Sequence, residues 1–249
     1  MGEDIARPRL SVIVPAFNAA RTISQTLKSL QAQTMTDWEA IVVDDDSDDM
    51  TYNIARAFGE RDPRIWAVRL PHNIGAAAAV NRGMQCASGR YYAVLAADDY
   101  WLEDFAEKTV SILDATVNVS GVYTDYIEWD EAAGIKRVHR VPVFDYDLLA
   151  RGDFVNFSAL VTRSPPWLDP KWNPVADWDC LLRLTKDRPL VRLARILAVR
   201  RFHSGQVSVQ SNSAMIRKSF LLSFSNSPLK AIRRLCQALS WPILCQVRK

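Results

Sequence analysis

The last quarter of this 249-residue chain has no acidic side chains: residues 188–249 contain no Asp or Glu against twelve Lys and Arg. The whole chain carries +3, so residues 1–187 stand at −9. An acidic body with a basic tail suits a tail that meets an anionic partner; a solvated basic face is the plainer alternative. Cysteine is scarce and scattered. Cys86, Cys180, Cys236 and Cys245 form no C-x-x-C pair, which argues against a zinc site or a disulfide framework and for reduced thiols. No apolar run approaches the roughly 18 residues of a membrane span. The first apolar stretch, residues 10–14, is short for a secretory leader and runs into Pro15, and Ala6 stands where a myristoylation signal needs Ser or Thr. No G-x-G-x-x-G follows the first expected strand and no G-x-x-x-x-G-K-[ST] occurs, so dinucleotide-dehydrogenase and P-loop readings fall away.

What is present is an ordinary globular balance, 49% apolar and 24% charged, arranged in a repeating rhythm. Residues 10–16, 38–43, 64–70 and 91–97 are short, β-rich apolar runs. Between them lie helix-like segments at 20–33, 50–60 and 75–87, the first with Ile23, Leu27 and Leu30 at helical spacing. Strands apolar along their whole length are covered on both faces, as in a parallel sheet built from βαβ units. After a helix near 101–115 the rhythm changes. Residues 119–129 and 135–141, with a turn at Gly134, predict an antiparallel hairpin; 177–186 read as a helix and 190–201 as extended structure. In the tail, Leu229, Ile232, Leu235, Cys236 and Leu239 share one helical face, with Lys230, Arg233 and Arg234 off it. That pattern suits an interfacial amphipathic helix, and equally one packed on the body.

In open parallel sheets ligands bind beyond the carboxyl ends of the strands. Residues 15–18, 44–46 and 98–99 all follow expected strands and so gather at one edge. Carboxylates brought together disfavour joint ionisation, and a divalent cation or a set of hydrogen-bond donors removes the penalty. Mg²⁺ takes one or two carboxylates and completes its shell with substrate phosphates, so the pattern points to a metal–nucleotide site. Helix capping is the alternative for such residues, and is preferred for Asp48 and Asp49. Asp-rich strand ends keep a metal-dependent phosphohydrolase open as well.

The stretch "SVIVPAFNAARTISQTLKSLQAQTMTDWEAIVVDDDSDD" resembles the opening of a family 2 glycosyltransferase of the GT-A fold. "DPRI" at 62–65, "NIGAAAAVNRG" at 73–83, "ASGRYYAVLAADD" at 87–99, "PVADWDCLLRL" at 174–184 and "RRFHSGQVS" at 200–208 follow in the family's order. The resemblance covers about residues 9–208. It implies an α/β fold with a mostly parallel mixed sheet flanked by helices, within residues 1–210. Residues 9–100 would bind nucleotide, 101–210 would meet the acceptor, and 211–249 would form a basic helical extension. It implies a donor-nucleotide site from Pro15, Phe17, Asn18, Asp44, Asp45, Asn81, Arg82 and Asp98. It further implies Mn²⁺ or Mg²⁺ held by Asp99 and Asp98, with His203 a further candidate ligand, and Asp177 as the catalytic base. The implied reaction moves one sugar, with inversion, from a nucleotide sugar, UDP-linked, to a saccharide or lipid-linked acceptor in cell-envelope glycan synthesis. The absence of Q-x-x-R-W sets the chain apart from processive synthases. A place at a helix start leads one to expect that Asp177 has a lowered pKa.

Three positions depart from the family pattern. Ala96 stands where many members have the first Asp of D-x-D, Ala176 replaces the Glu before the base, and Val80 replaces an Arg, with Arg82 nearby as a substitute. These leave open a non-catalytic nucleotide-sugar-binding relative. Nucleic acid is not expected as a partner. The expected location is cytoplasmic, peripheral at the inner membrane face through residues 228–249.

Overall fold

The computed structural model describes residues 7–202 and Lys218. Four parallel strands open the chain: β1 (Leu10–Ala16), β2 (Trp38–Asp44), β3 (Ile65–Arg69) and β4 (Tyr91–Val94). The helices α1 (Ile23–Gln31), α2 (Thr51–Gly59) and α3 (Ala76–Cys86) connect them. Then come β5 (Tyr100–Trp101), α4 (Phe105–Ala115), β6 (Gly121–Asp130), β7 (Ile135–His139), α5 (Tyr146–Arg151), β8 (Leu160–Thr162), α6 (Ala176–Leu184) and β9 (Leu190–Phe202). The sheet runs β3-β2-β1-β4-β8-β6-β9-β5, with β7 paired antiparallel to β6 as the expected hairpin.

The apolar first strands are explained by two cores, one on each face. Val12 and Val14 of β1 point into the larger core with Ile23, Leu27 and Leu30 of α1 and with Phe105 and Leu113 of α4. Ile13, with Ile41 and Val43 of β2, points into a smaller core with Ala77, Ala79, Val80 and Met84 of α3. Successive side chains of a strand face opposite ways, so a strand buried on both sides has no polar positions to spare. Gly83 lets α3 lie close to this face: a Cβ there would come within 2.5 Å of Ile13 Cγ2.

The second half mixes directions. β8 enters antiparallel between β4 and β6, and β9 runs parallel to β6 and antiparallel to β5. The expected strand at 91–97 ends at Val94; Leu95 N still donates to Ile13 O (2.9 Å), and the chain then turns into β5. The helix expected from 101 therefore begins only at Phe105. Residues 203–210 and the basic extension at 211–249, apart from Lys218, lie outside the described residues.

Candidate active site

Register brings the ends of β1 and β2 together. Ala16 pairs with Asp44, and Asp45 N donates to Ala16 O (2.8 Å). Beyond that point Asn18, at a φ of 49°, staples the two loops: its N–H donates to Ser47 Oγ (2.9 Å) and its Oδ1 accepts from Asp48 N (3.0 Å). Phe17 stays half exposed at the rim. Asp44 is wholly buried; its Oδ2 accepts from Ser47 N (3.2 Å) and faces Arg69 Nε at 3.6 Å, while its Oδ1 has no partner. Arg69, which also donates to Ser47 O (2.9 Å), was not singled out from the sequence; its signal is its register position beside Asp44 on β3.

Asp98 and Asp99 sit on the turn between β4 and β5. Thr26 of α1 supports this turn, its hydroxyl donating to Ala97 O (2.9 Å) and Asp99 O (2.7 Å). Asp98 is part-exposed and Asp99 buried. Asp99 Oδ1 accepts from Arg201 N (2.9 Å), and Arg201 Nε donates to Asp98 O (3.0 Å). Burial, and then the neighbouring Asp98 charge, push the Asp99 carboxyl up to about 7 against the opposing pull of Ser158, the Arg201 N–H and the Arg200 charge. Arg201 is itself buried, stacked over Trp129 and paired with Glu131. It is the residue that shapes the turn, and the sequence motif around it did not disclose this role.

Asp177 lies in the first turn of α6, half-buried, accepting from Trp178 N (2.9 Å). Its carboxyl is pushed up by burial, which outweighs the Trp178 N–H, its own N–H and the Arg200 charge. This corrects the expectation of a lowered value: a helix start supplies partial charge, but desolvation is the larger effect here. Beside it stands Asp153, a residue the sequence did not mark. Desolvation by the surrounding protein, and then the Asp177 charge, displace its carboxyl upward, although the residue itself is solvent-exposed.

Several of the residues expected to meet the nucleotide also tie the scaffold together. Both Asp45 oxygens are taken, Oδ1 by Ile74 N (2.8 Å) and Oδ2 by Gly75 N (2.9 Å), so Asp45 fixes the start of α3 to the end of β2. Asn81 clamps Leu168, donating to its O (2.7 Å) and accepting from its N (2.8 Å). Val80 is packed in the smaller core, and Arg82 is exposed and bonded to Gln85 (3.0 Å). Two residues along a helix are about 200° round its axis, so Arg82 does not replace a side chain at position 80. Ala176 also packs into that core. Pro15 stays within β1, opposite Val43. His203 lies outside the described residues.

The carboxyl ends of β1, β2 and β4 bring Asn18, Asp44 and the Asp98–Asp99 turn to one edge of the sheet, and the family comparison agrees with this arrangement. The description "Glycosyl transferase family 2" matches residues 11–160. The chain belongs to this family. TuaG of Bacillus subtilis, named a teichuronic acid biosynthesis glycosyltransferase, is 41% identical over 107 residues, 43% of this chain and 42% of TuaG. WfgD of Escherichia coli, a UDP-Glc:alpha-D-GlcNAc-diphosphoundecaprenol beta-1,3-glucosyltransferase, is 38% identical over 117 residues, 47% of this chain and 45% of WfgD. The chain thus spans less than half the length of either relative. Among solved structures, S. aureus TarS 1-349 in complex with UDP-GlcNAc superposes with a TM-score of 0.67 at 17% identity, over 86% of this chain and 65% of that one. The mannosyltransferase PcManGT from Pyrobaculum calidifontis, in complex with GDP-Man and Mn²⁺, gives 0.67 at 18%, over 89% and 65%. These likenesses establish the GT-A fold for this family 2 member.

A divalent cation fits the donor set in one way. Among the described residues no three His, Cys, Asp or Glu side chains gather to hold a metal alone. Part-exposed Asp98 stands beside the buried Asp99. That suits a hard ion which takes its remaining oxygen ligands from a substrate diphosphate and water. No helix among the described residues is long and apolar enough to cross a membrane.

Proposed function

We propose that this protein transfers a single sugar, with inversion, from a UDP-sugar to a saccharide or lipid-linked acceptor in cell-envelope glycan synthesis. The observation that carries the reading is Asp44: a buried carboxylate at the carboxyl end of a parallel strand, with one oxygen lacking a partner. A buried acceptor left unsatisfied is unfavourable by roughly 1–3 kcal/mol, and the ring N–H of a uracil is a donor that would satisfy it. The relatives' named activities in teichuronic acid and diphosphoundecaprenol chemistry support the envelope assignment.

In this reading Phe17 and Asn18 frame the nucleoside, and Asp98 would hold Mg²⁺ or Mn²⁺, with Asp99 fixing the turn from below. The cation supplies charge stabilisation to the departing diphosphate. Asp177 takes the proton of the acceptor hydroxyl as its oxygen bonds to the anomeric carbon; the bond to the diphosphate breaks and its electron pair leaves with the phosphate oxygen. The basic segment 228–249 holds the protein at the anionic inner face of the membrane, where a lipid-linked acceptor lies.

Calorimetry with UDP and with GDP, each with Mg²⁺ or Mn²⁺, tests the donor assignment. UDP binds, Asp44→Ala loses at least about tenfold in affinity, and GDP binds more weakly. Failure of every nucleotide and nucleotide sugar to bind would overturn the reading.

A further inference from the structure

Two buried polar side-chain atoms near the ligand edge have no partner within the protein: the acceptor Asp44 Oδ1 and a donor, Asn156 Nδ2. Asn156 lies on the segment between α5 and β8, where it opens the short 3-10 turn Phe157–Ala159. Its Oδ1 accepts from Ser158 N (3.1 Å), so the other atom of the amide must be the nitrogen. With the oxygen committed to its own loop, the planar group turns Nδ2 away from Ser158. The residue is part-exposed, while Nδ2 itself is covered and unpaired. A buried donor in that state is unfavourable until something supplies an acceptor.

The fold places this amide beside the acidic turn. β8 runs antiparallel to β4, with Tyr92 opposite Thr162 and Ala93 opposite Val161. The chain just before β8 therefore passes the carboxyl end of β4, and two bonds fasten it there: Ala96 N donates to Ser158 Oγ (3.3 Å) and Trp101 Nε1 to Ser158 O (2.7 Å). Asn156 precedes Ser158 by two residues as Asp98 follows Ala96 by two, so the antiparallel course brings Asn156 to the level of the Asp98–Asp99 turn. At its other end the segment is tied to α6, the helix of Asp177, where Trp178 Nε1 donates to Leu149 O (2.7 Å). Along the sheet the strands follow in the order β2, β1, β4, β8. Asp44 ends β2, Asn18 follows β1, Asp98 follows β4 and Asn156 precedes β8. Three strand spacings, about 14 Å, separate the first of these from the last. A UDP-sugar whose uracil meets Asp44 and whose diphosphate meets the Asp98 turn has its sugar next along this edge, at Asn156.

We propose that Asn156 reads the transferred sugar: Nδ2 donates a hydrogen bond to a hydroxyl oxygen of the donor's sugar and so helps to select which UDP-sugar is accepted. The inference rests on the UDP-sugar reading above and adds the sugar contact to it. A neutral amide suits a neutral hydroxyl, whereas the diphosphate beside it calls for a cation. A site with a fixed donor rejects a sugar that offers no oxygen in that direction, because the donor is then left buried and unpaired.

The test is calorimetry of the full chain with Mn²⁺, titrating UDP, UDP-glucose and UDP-N-acetylglucosamine into the wild type, Asn156→Ala and Asn156→Ser. The serine hydroxyl still accepts from Ser158 N but is too short to reach where Nδ2 does, so this variant keeps the turn and removes the donor. For the UDP-sugar that the wild type binds best, both variants lose about three- to tenfold in affinity, and UDP affinity is unchanged. The Tm of Asn156→Ser stays at the wild-type value, and kcat/KM for hydrolysis of that donor falls at least as far as its affinity. Equal losses for UDP and its sugars would assign Asn156 to the nucleotide or to the shape of the turn. Wild-type affinity and hydrolysis for every sugar would leave the amide to an ordered water. Either result overturns the proposal while the UDP-sugar reading stands. A wild type that binds none of the three ligands defeats that reading itself, and the sugar contact with it.

Discussion

At the scale of single residues the site is governed by desolvation more than by pairing. Asp177 is displaced upward by burial, so the rate of sugar transfer falls as pH drops through that raised value, above the range in which an exposed aspartate would fail. Asp177→Asn is expected to lower kcat by roughly 10²–10⁴ with UDP affinity unchanged, read from steady-state kinetics beside calorimetry. Asp99 supplies a stability prediction whose sign follows from linkage. Folded, it holds its proton to about 7; unfolded, it releases it near 3.8. The folded form thus binds more protons between those values, and the contribution of Asp99 to stability declines as pH rises from about 4 to 7. Asp99→Asn removes that decline and can still accept from Arg201 N. In nucleotide-free protein it is expected to raise Tm at pH 8 by at least about 2 °C, with the gain vanishing toward pH 4. A gain independent of pH would show that Asp99 is not the group responsible.

Elements show which parts of the fold were legible in the sequence. β1, β2, β3 and α1 to α3 could be read from composition and period: β1 and β2 are apolar on both faces, β3 is a short β-rich run at the edge of the sheet, and the helices carry one apolar stripe. The acidic clusters at their ends were legible because strand ends are where a parallel sheet presents ligand-binding groups. β5 and β8 were not, since strands of two and three residues carry no periodic signal and exist through their partners β9, β4 and β6. Asp153 was invisible for a related reason: what marks it is the Asp177 charge from α6, and no local pattern records that. Arg82 shows the converse failure, where adjacency in sequence suggested equivalence and helical geometry denies it. The close seat of α3 on the sheet gives a prediction at this scale. Gly83→Ala places a methyl 2.5 Å from Ile13 Cγ2, and is expected to destabilise by about 1–3 kcal/mol in urea unfolding, with UDP binding retained at low temperature. An unchanged unfolding midpoint would mean that α3 can slide away freely.

For the whole molecule, the expected division at residue 100 does not mark a boundary between folding units. β4 takes β8 as its sheet neighbour, β5 takes β9, and Trp101 is tied to Ser158. A fragment ending at residue 100 is therefore expected to lack cooperative unfolding and UDP binding, which calorimetry of the isolated fragment checks. The charge asymmetry is a second property at this scale. Deleting residues 228–249 is expected to abolish flotation with anionic liposomes and leave nucleotide affinity intact; unchanged flotation would take the tail out of membrane attachment.

The bond from Arg201 N to Asp99 Oδ1 spans 102 positions of sequence. The acidic turn consequently waits, during synthesis, for a residue that leaves the ribosome about a hundred positions after the turn itself. A nascent chain displays its acidic loop early but lacks the backbone donor and the guanidinium that set its shape. The shape of the acidic turn therefore arrives late, and products terminated before β9 are expected to lack it.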